Sequence, residues 1–200
     1  MYVCAVRRRR ARARKLVCIM RIIAGRLRSR RILAPEGEGT RPTSDRVRES
    51  LFSMIQARLD LEGISVVDLY AGSGALGFES ISRGAERCLF VDKDRRACRV
   101  ITSNAESLGV DEQVEVRCQD VRSYLRTEEE RFDLVLLDPP YADSLVATLP
   151  GLIRDLVTPT GLIAMEHGPN VNFEADDGHL LTRDFGRTRI TLFEAVSSTD

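Results

Sequence analysis

The sequence lacks the features that mark three large classes of protein. Its 200 residues contain no apolar run near the roughly 20 residues that a membrane span requires. The five cysteines are an odd number and include no Cys-x-x-Cys pair, which argues against a disulfide framework or a zinc site. The basic N-terminus has no uninterrupted apolar core and no cleavage site, so we expect no secretory signal. These absences predict a cytoplasmic protein without a membrane partner and without a metal.

The net charge of zero conceals opposite charges in two parts of the chain. Residues 1–48 hold 15 of the 30 Lys and Arg residues and only three acids, so the remaining residues carry −12. A basic arm on an acidic body is typical of a protein whose arm contacts nucleic acid. The alternative is a solvated tail without a function, although the arginines continue beyond the tail into patterned sequence.

Three segments with different patterns follow one another at the start. Residues 1–19, which contain Arg7-Arg-Arg-Arg10, predict a disordered basic extension. Residues 20–40 predict a small β-hairpin with strands Arg21–Gly25 and Arg30–Leu33, in which Gly25 supplies the turn. A helix capped by Thr43 or Ser44 then runs to about Leu59 and opens the main domain, residues 41–200.

Strand and helix patterns alternate in the main domain. Helices are predicted to about Arg83, over Arg95–Leu108, from Val121 and over Ser144–Leu156. The strands between them are predicted at Ser65–Tyr70, Cys88–Val91, Val114–Cys118, Leu134–Leu137 and Leu162–Glu166. His179–Phe185 and Arg189–Val196 predict an antiparallel hairpin. The alternation predicts an α/β fold with a doubly wound parallel sheet and antiparallel strands at one edge.

A glycine-rich turn follows the first of these strands. It contains Gly72, Gly74 and Gly77 in the spacing that lets a backbone turn tightly and approach a ligand. Nicotinamide and flavin enzymes share this spacing. Asp68, however, stands at the carboxyl end of the strand, where a carboxylate repels a pyrophosphate and suits an ammonium-bearing group such as the amino acid part of S-adenosylmethionine. The alternative is that Asp68 caps the next helix.

Two further acids follow neighbouring predicted strands. Asp92 ends the second strand, about 20 residues after the glycine turn, and can accept both hydroxyls of a ribose. Asp94 is expected to cap the helix after it. Asp120 follows the third strand and can accept from the amino group of adenine. It can also cap the helix that begins at Val121, and both roles can hold together.

The fourth motif is Asp138-Pro-Pro-Tyr141, at the end of the apolar strand that includes Leu134–Leu137. The prolines cannot donate to a sheet, so the strand stops there. Asp138 and the carbonyl of Pro139 can accept the N–H groups of a planar, weakly nucleophilic amine, and Tyr141 can stack on a base. The alternative is a simple Pro-Pro turn, which does not account for the acid and the aromatic residue.

These motifs, in this order, resemble the class I S-adenosylmethionine-dependent methyltransferases, and Asp138-Pro-Pro-Tyr141 resembles the branch that methylates exocyclic amines of bases. Three further segments are similar to the bacterial RsmD family. They are Met20-Arg-Ile-Ile-Ala-Gly-Arg26, Arg41-Pro-Thr-Ser-Asp-Arg-Val-Arg-Glu-Ser-Leu-Phe52 and Asp68-Leu-Tyr-Ala-Gly-Ser-Gly-Ala-Leu-Gly-Phe-Glu79. The similarity covers Met20 to the C-terminal hairpin. Tyr141 replaces a phenylalanine often found in the family, and the basic extension is additional.

The resemblance implies a Rossmann-like seven-stranded sheet and methyl transfer from S-adenosylmethionine to N2 of a guanine in 16S ribosomal RNA, at position 966 in usual numbering. It implies a monomer that acts on an assembled or assembling 30S subunit. The implied catalytic residues are Asp138, Pro139, Pro140 and Tyr141. The implied cofactor residues are Arg46, Glu49, Asp68, Tyr70, Ala71, Gly72, Ser73, Gly74, Gly77, Asp92, Lys93, Asp120 and Val121. The implied RNA-binding residues are Arg21, Arg26, Arg28, Arg30, Arg31 and Arg41.

Three other functions stay open at the level of sequence. A methyltransferase acting on DNA or on another RNA, for example at adenine N6, needs the same acceptors at the tip. A non-catalytic RNA-binding assembly factor could retain the fold and use the basic arm alone. A hydride-transferring oxidoreductase is disfavoured by Asp68. Cysteines 88, 98 and 118 are expected in the core, and none lies at Asp138, which argues against a cysteine nucleophile.

Overall fold

The computed structural model describes residues 19–35, 44–140, 143 and 145–195. The strands are β1 Ile19–Arg21, β2 Arg31–Leu33, β3 Ser65–Leu69, β4 Arg87–Asp92, β5 Val114–Cys118, β6 Phe132–Leu137, β7 Val157–His167, β8 His179–Phe185 and β9 Thr188–Glu194. The α-helices are α1 Asp45–Gln56, α2 Ala75–Ser82, α3 Arg95–Leu108, α4 Val121–Leu125 and α5 Leu149–Ile153. Among these residues no helix is both long and apolar enough to cross a membrane.

Strands β3 to β9 form one sheet in the order β5-β4-β3-β6-β7-β9-β8. The five strands from β5 to β7 pair in parallel, and β9 pairs antiparallel with both β7 and β8. The predicted α/β fold is therefore confirmed, including its seven strands and its antiparallel hairpin. The parallel arrangement places the carboxyl ends of β5, β4, β3, β6 and β7 along one edge of the sheet, where open α/β folds bind ligands.

Both faces of the sheet are covered. Val66 of β3 and Leu134 of β6 pack into one core, and the alternate residues Val67 and Val135 pack into the other. All four side chains are 0% exposed. Each such burial stabilises the fold by roughly 1.5–3 kcal/mol, so the two central strands are held rigidly and their ends are fixed in position.

The N-terminal hairpin is confirmed, but the predicted position of its first strand is wrong. Strands β1 and β2 pair antiparallel, with Met20 opposite Ile32, and the segment from residue 22 to residue 30 is a loop. The backbone amides of Ile23 and Ala24 donate to the Glu79 carboxylate at 2.7 and 2.9 Å instead of to a neighbouring strand. The Glu79 carboxylate on α2 therefore accepts the hydrogen bonds that a partner strand would accept in the predicted hairpin.

Two predicted helix boundaries are also wrong. Helix α5 covers only Leu149–Ile153 and continues as a 3-10 turn over Arg154–Leu156. Pro150 lacks an amide donor and is tolerated only in the first turn, so the helix cannot extend far toward Ser144. Helix α1 ends at Gln56, before the predicted Leu59.

A chain of hydrogen-bonded polar groups crosses the antiparallel edge. The Nδ1 atom of His167 lies 2.9 Å from the carbonyl oxygen of Gly168, which can only accept, so Nδ1 carries the proton. The bare Nε2 atom then accepts from the Thr191 hydroxyl at 2.8 Å, and Thr191 lies 2.9 Å from the hydroxyl of Thr182. His167 is fully buried, and this burial lowers its pKa.

Candidate active site

Three carboxylates meet at the carboxyl edge of β4, β3 and β6. Asp92 is the last residue of β4 and Asp138 follows β6 directly, while Asp68 lies on β3 between them, in register with Phe90 and Leu136. Asp68 is 2% exposed. Burial raises the pKa of Asp68 well above its ordinary range, and the neighbouring charges of Asp138 and Asp92 raise it further. The sheet thus brings together acids that are far apart in sequence.

Asp68 contacts the start of α2. Its Oδ2 atom accepts the backbone N–H of Gly77 at 2.9 Å, and Gly77 lies in the first turn of the helix. The carboxylate therefore satisfies an amide that a helix N-terminus otherwise leaves unpaired. The helix-capping alternative describes the contact present in the structure, and the role of Asp68 toward an ammonium group stays a prediction.

The glycine turn needs its glycines for two reasons. Gly74 adopts φ +78° as the N-cap of α2, a conformation that side-chain-bearing residues rarely adopt. A Cβ atom on Gly77 would lie 2.3 Å from the Phe90 ring, so only glycine lets α2 approach β4 this closely. Tyr70, at the start of the turn, has φ +61° although it is not a glycine. The backbone is strained at this point, which is common at ligand sites.

Asp92 organises the turn from the neighbouring strand. Its Oδ2 atom accepts the amide of Gly72 at 2.8 Å, and its Oδ1 atom accepts the amide of Asp94 at 2.8 Å. Each carboxylate oxygen can accept a second hydrogen bond, so both remain available to the two hydroxyls of a ribose. Asp94 caps α3, as predicted, by accepting from the amide of Arg96 at 2.8 Å. Lys93 is exposed.

Asp120 occupies the matching place after β5. It is the N-cap of α4 and accepts the amide of Arg122 at 3.0 Å, while Val121 is buried beneath it. The capping role is present, and the role toward adenine stays a prediction. The cysteine expectation is wrong in one case, because Cys118 is exposed whereas Cys88 and Cys98 are buried.

The Asp138 tip is rigid at its base. Asp138 is half-buried, Pro139 is buried and Pro140 is exposed. The carbonyl of Pro140 accepts the amide of Asp143 at 2.8 Å, directly after the tip. Tyr141, the predicted stacking residue, lies outside the described residues.

Asp143 is a site residue that sequence reasoning missed. Its carboxylate accepts from the Tyr70 hydroxyl at 3.3 Å, from the Arg122 guanidinium at 3.2 Å and from the amide of Leu145 at 2.9 Å. These hydrogen bonds lower the pKa of Asp143, with the Leu145 amide as the largest cause. Burial, together with Asp143, raises the pKa of Tyr70 to about 12. Asp143 thus ties the segment after the tip to the glycine turn.

The N-terminal hairpin is attached to the glycine turn by a second missed residue, Asn104 of α3. Its buried amide accepts the backbone N–H of Leu33 at 2.9 Å and donates to the carbonyl of Leu33 at 2.9 Å, as a neighbouring strand would. The same amide donates to the carbonyl of Ser73 at 3.2 Å, and the Ser73 hydroxyl contacts the sulfur of Met20 at 3.4 Å. The hairpin and the turn are therefore in direct contact.

The hairpin arginines fall into two groups. Three are exposed but contact another part of the protein: Arg21 pairs with Asp45 at 2.7 Å, Arg26 donates to Gln113, and Arg30 donates to the carbonyl of Ser107. Arg28 and Arg31 are exposed and have no side-chain partner among the described residues. Arg41 lies outside the described residues.

Helix α1 buries Arg48 rather than Arg46. The Arg48 guanidinium donates to the carbonyl of Arg21 at 2.7 Å and pairs with Asp45 at 2.8 Å. Burial is the largest influence on Arg48 and lowers its pKa. Arg46 and Glu49 are exposed, and their assignment to the cofactor stays a prediction.

A family model described as Conserved hypothetical protein 95 matches residues 20–194. The chain belongs to this family. This is the RsmD family, so the resemblance found in the sequence is confirmed, and the chain is a class I methyltransferase, a class whose methyl donor is S-adenosylmethionine. The matched range begins at Met20, where the similarity in the sequence also begins.

Curated relatives match over most of their length. YlbH of Bacillus subtilis is 36% identical over 183 residues, which cover 88% of this chain and 98% of the relative. Ribosomal RNA small subunit methyltransferase D of Haemophilus influenzae is 35% identical over 152 residues, covering 74% of this chain and 78% of the relative. The Escherichia coli protein of the same name is 31% identical over 159 residues, covering 80% of this chain and 77% of the relative.

Solved structures share the fold. The structure of yhhF from Escherichia coli has a TM-score of 0.78 and 27% identity, and the match covers 89% of this chain and 98% of that one. A Thermus thermophilus 16S rRNA N2 G1207 methyltransferase, RsmC, in complex with AdoMet and guanosine has a TM-score of 0.71. Its identity is 20%, and the match covers 90% of this chain and 50% of that one, so it shows the fold alone.

Proposed function

We propose that this chain methylates N2 of a guanine in 16S ribosomal RNA, at position 966 in usual numbering, within an assembled or assembling 30S subunit. The observation that carries the proposal is the Asp138-Pro-Pro tip beside Asp68 and Asp92 at one edge of the sheet. Asp138, which can accept from an amine, therefore lies at the same edge as Asp92, which can accept from the ribose of a nucleoside.

The residues around the glycine turn fit S-adenosylmethionine. Close packing of Gly77 against Phe90 brings the turn down to the sheet edge, and Asp92 retains acceptor capacity for ribose hydroxyls. The carboxylates at this edge disfavour a pyrophosphate and favour a positively charged group. The cofactor supplies a sulfonium methyl group that passes directly to a nucleophile. We propose that Asp120 binds the adenine and that Asp68 binds the ammonium group of the cofactor.

The tip is proposed to act on an exocyclic amine. The lone pair of such an amine is delocalised into the base, so the amine is a poor nucleophile. Asp138 and the carbonyl of Pro139 accept its two N–H bonds, which holds the nitrogen in place and favours the tetrahedral geometry of the transition state. A new N–C bond would form as the S–C bond breaks, the sulfide of S-adenosylhomocysteine would be the leaving group, and one N–H proton would leave along the hydrogen bond to Asp138. Tyr141 is proposed to stack on the base.

Ribosomal RNA as the substrate is supported by the names of the relatives from Haemophilus influenzae and Escherichia coli, both ribosomal RNA small subunit methyltransferases. The exposed arginines Arg28 and Arg31 support it as well, because phosphates are the dominant contacts of nucleic-acid-binding proteins. The target base must leave its stack to reach the tip.

The catalytic role is tested with Asp138→Ala. We expect calorimetric affinity for S-adenosylmethionine to change little and transfer of a tritiated methyl group to 30S subunits to fall by more than about a hundredfold, as for other transition-state contacts. Asp111→Asn, which removes an exposed carboxylate outside the site, is the control and should retain full activity. Normal turnover by Asp138→Ala would remove Asp138 from the mechanism.

The target base is tested by mass spectrometry of nucleosides from 16S rRNA of a strain lacking this chain. Loss of one N2-methylguanosine supports the proposal, whereas loss of N6-methyladenosine would identify an adenine methyltransferase. An unchanged nucleoside profile rejects both. Methylation of purified 30S subunits compared with naked 16S rRNA, both from that strain, then identifies the form of the substrate.

A further inference from the structure

Carboxylates neutralise seven arginines of the body within the described residues. Ion pairs hold Arg48, Arg83, Arg87, Arg117, Arg122, Arg154 and Arg189. Four cations close together in sequence differ from these: Lys93, Arg95, Arg96 and Arg99, which we name the α3 cationic cluster. All four side chains are exposed, and none pairs with a carboxylate in the part of the chain that the structure describes.

The position of the α3 cationic cluster relates it to the active site. It begins directly after Asp92, at the carboxyl end of β4, and occupies the first two turns of α3. The N-terminal amide of Arg96 is already satisfied by Asp94, so the cluster offers side-chain charges rather than a free helix terminus. In the sheet β4 lies two strands from β6, which places its end about 10 Å from the Asp138 tip.

The only anion of S-adenosylmethionine is its methionine carboxylate, which the proposed function places with the ammonium group near Asp68 rather than beyond the ribose acceptor Asp92. S-adenosylmethionine contains no phosphate, and Asp92 disfavours one at the end of the strand itself. The cluster also stands out against the body, because the chain beyond residue 48 carries −12. Charges of this sign and density are suited to an anion supplied by the substrate.

The hairpin packs against the C-terminal half of the same helix. It lies along α3, where Leu33 contacts Asn104 and Arg30 donates to the carbonyl of Ser107. The exposed cations Arg28 and Arg31 are therefore carried by the element that packs against this helix. A polyanion bound to the hairpin can continue along α3 toward the tip.

We propose that the α3 cationic cluster binds phosphates of the substrate RNA next to the target base, as a second contact surface in addition to the hairpin. This inference rests on the proposed function. Each phosphate neutralised by Arg or Lys releases counterions, so every contact contributes a definite part of the salt dependence of binding.

The test compares two triple variants of equal charge change, R95Q/R96Q/R99Q and R58Q/R126Q/R131Q. The second set is the control: its arginines are exposed, have no carboxylate partner among the described residues, and follow α1, follow α4 or precede β6, away from the carboxyl edge. Affinity for 30S subunits from the deletion strain is measured by filter binding over a series of salt concentrations, beside calorimetric affinity for S-adenosylmethionine.

We expect the cluster variant to bind 30S subunits at least about tenfold more weakly, with a salt slope reduced by about two, because each phosphate contact to single-stranded RNA contributes about 0.7 to that slope. The control variant should keep the slope of the unmodified protein. Equal losses in the two variants, no loss in either, or weakened cofactor affinity in the cluster variant would each overturn the inference. Absence of methylguanosine formation by the unmodified protein would instead reject the proposed function.

Discussion

Replacement of Glu79 by alanine tests whether one buried carboxylate holds the N-terminal hairpin. Glu79 is 0% exposed on α2 and accepts from the amides of Ile23 and Ala24 and from the Arg83 guanidinium at 2.8 Å. Hydrogen bonds to a charged group are each worth about 1.5–3 kcal/mol, and removal of one member of a buried ion pair costs about 3–5 kcal/mol. We expect Glu79→Ala to lower the free energy of unfolding by about 3–5 kcal/mol.

Urea unfolding followed by circular dichroism measures this loss. Native-state hydrogen exchange adds a local readout, because the amides of Ile23 and Ala24 should exchange faster once their acceptor is gone. Glu79→Gln keeps one acceptor oxygen, so its free energy of unfolding should lie between those of the unmodified protein and of Glu79→Ala. Glu106→Ala is the matched control, since Glu106 also lies on a helix but is exposed and has no ion pair within the described ranges. It should change stability by less than about 0.5 kcal/mol.

A loss below about 1 kcal/mol in Glu79→Ala would refute the reasoning, because a mutation of that size is ordinary for a surface contact. Unchanged exchange at Ile23 and Ala24 would refute it independently. Either result would mean that apolar packing, not the carboxylate, attaches the hairpin to α2.

Two further predictions concern backbone conformation and pH. Gly25→Ala should lower the free energy of unfolding by about 2–4 kcal/mol, because Gly25 has φ +78° and its new Cβ atom would lie 1.8 Å from the carbonyl of Ser82. Gly63 has φ +73° but open space around it, so Gly63→Ala should lower the free energy of unfolding by only about 1 kcal/mol. Equal losses in Gly25→Ala and Gly63→Ala would contradict the steric argument. Burial lowers the pKa of His167 below 6.5, so the unfolded chain takes up the proton first as pH falls. The free energy of unfolding therefore has its full contribution from neutral His167 above pH 6.5. Below pH 6.5 that contribution falls by up to about 1.4 kcal/mol per pH unit. His167→Gln should flatten this dependence in urea titrations, and parallel curves for the two proteins would disprove it.

Local patterns were sufficient for the type and order of the strands and for the acids at the edge of the sheet, although β7 begins at Val157, five residues before the predicted Leu162. A buried parallel strand reads as a continuous apolar run, so β3 and β6 were recognisable without a structure. Glycine spacing after β3 and the two prolines after β6 act within a few residues, and they determined where each strand ends. Since parallel strands end at one edge, Asp68, Asp92 and Asp138 could be placed together from their order alone.

Long-range contacts were not readable in this way. Glu79 bonds to a segment 55 residues earlier, Asn104 to one 71 residues earlier, and Tyr70 reaches Asp143 across 73 residues. No periodicity records which buried acceptor meets which amide. The same reason explains the misplaced first strand of the hairpin, because the acceptor that captures the amide of Ile23 lies on α2.

The sequence by itself determined the order of strands and helices, the identity of the edge residues and the family, since each depends on local chemistry or on motif spacing. The tertiary structure decided which cationic side chains have a partner within the protein. Arg26 and Arg30 are exposed but donate to neighbouring elements, whereas Arg28, Arg31 and the α3 cationic cluster are exposed and have no side-chain partner among the described residues. A charge is available to a substrate only if packing places no partner beside it, and packing is a property of the whole fold.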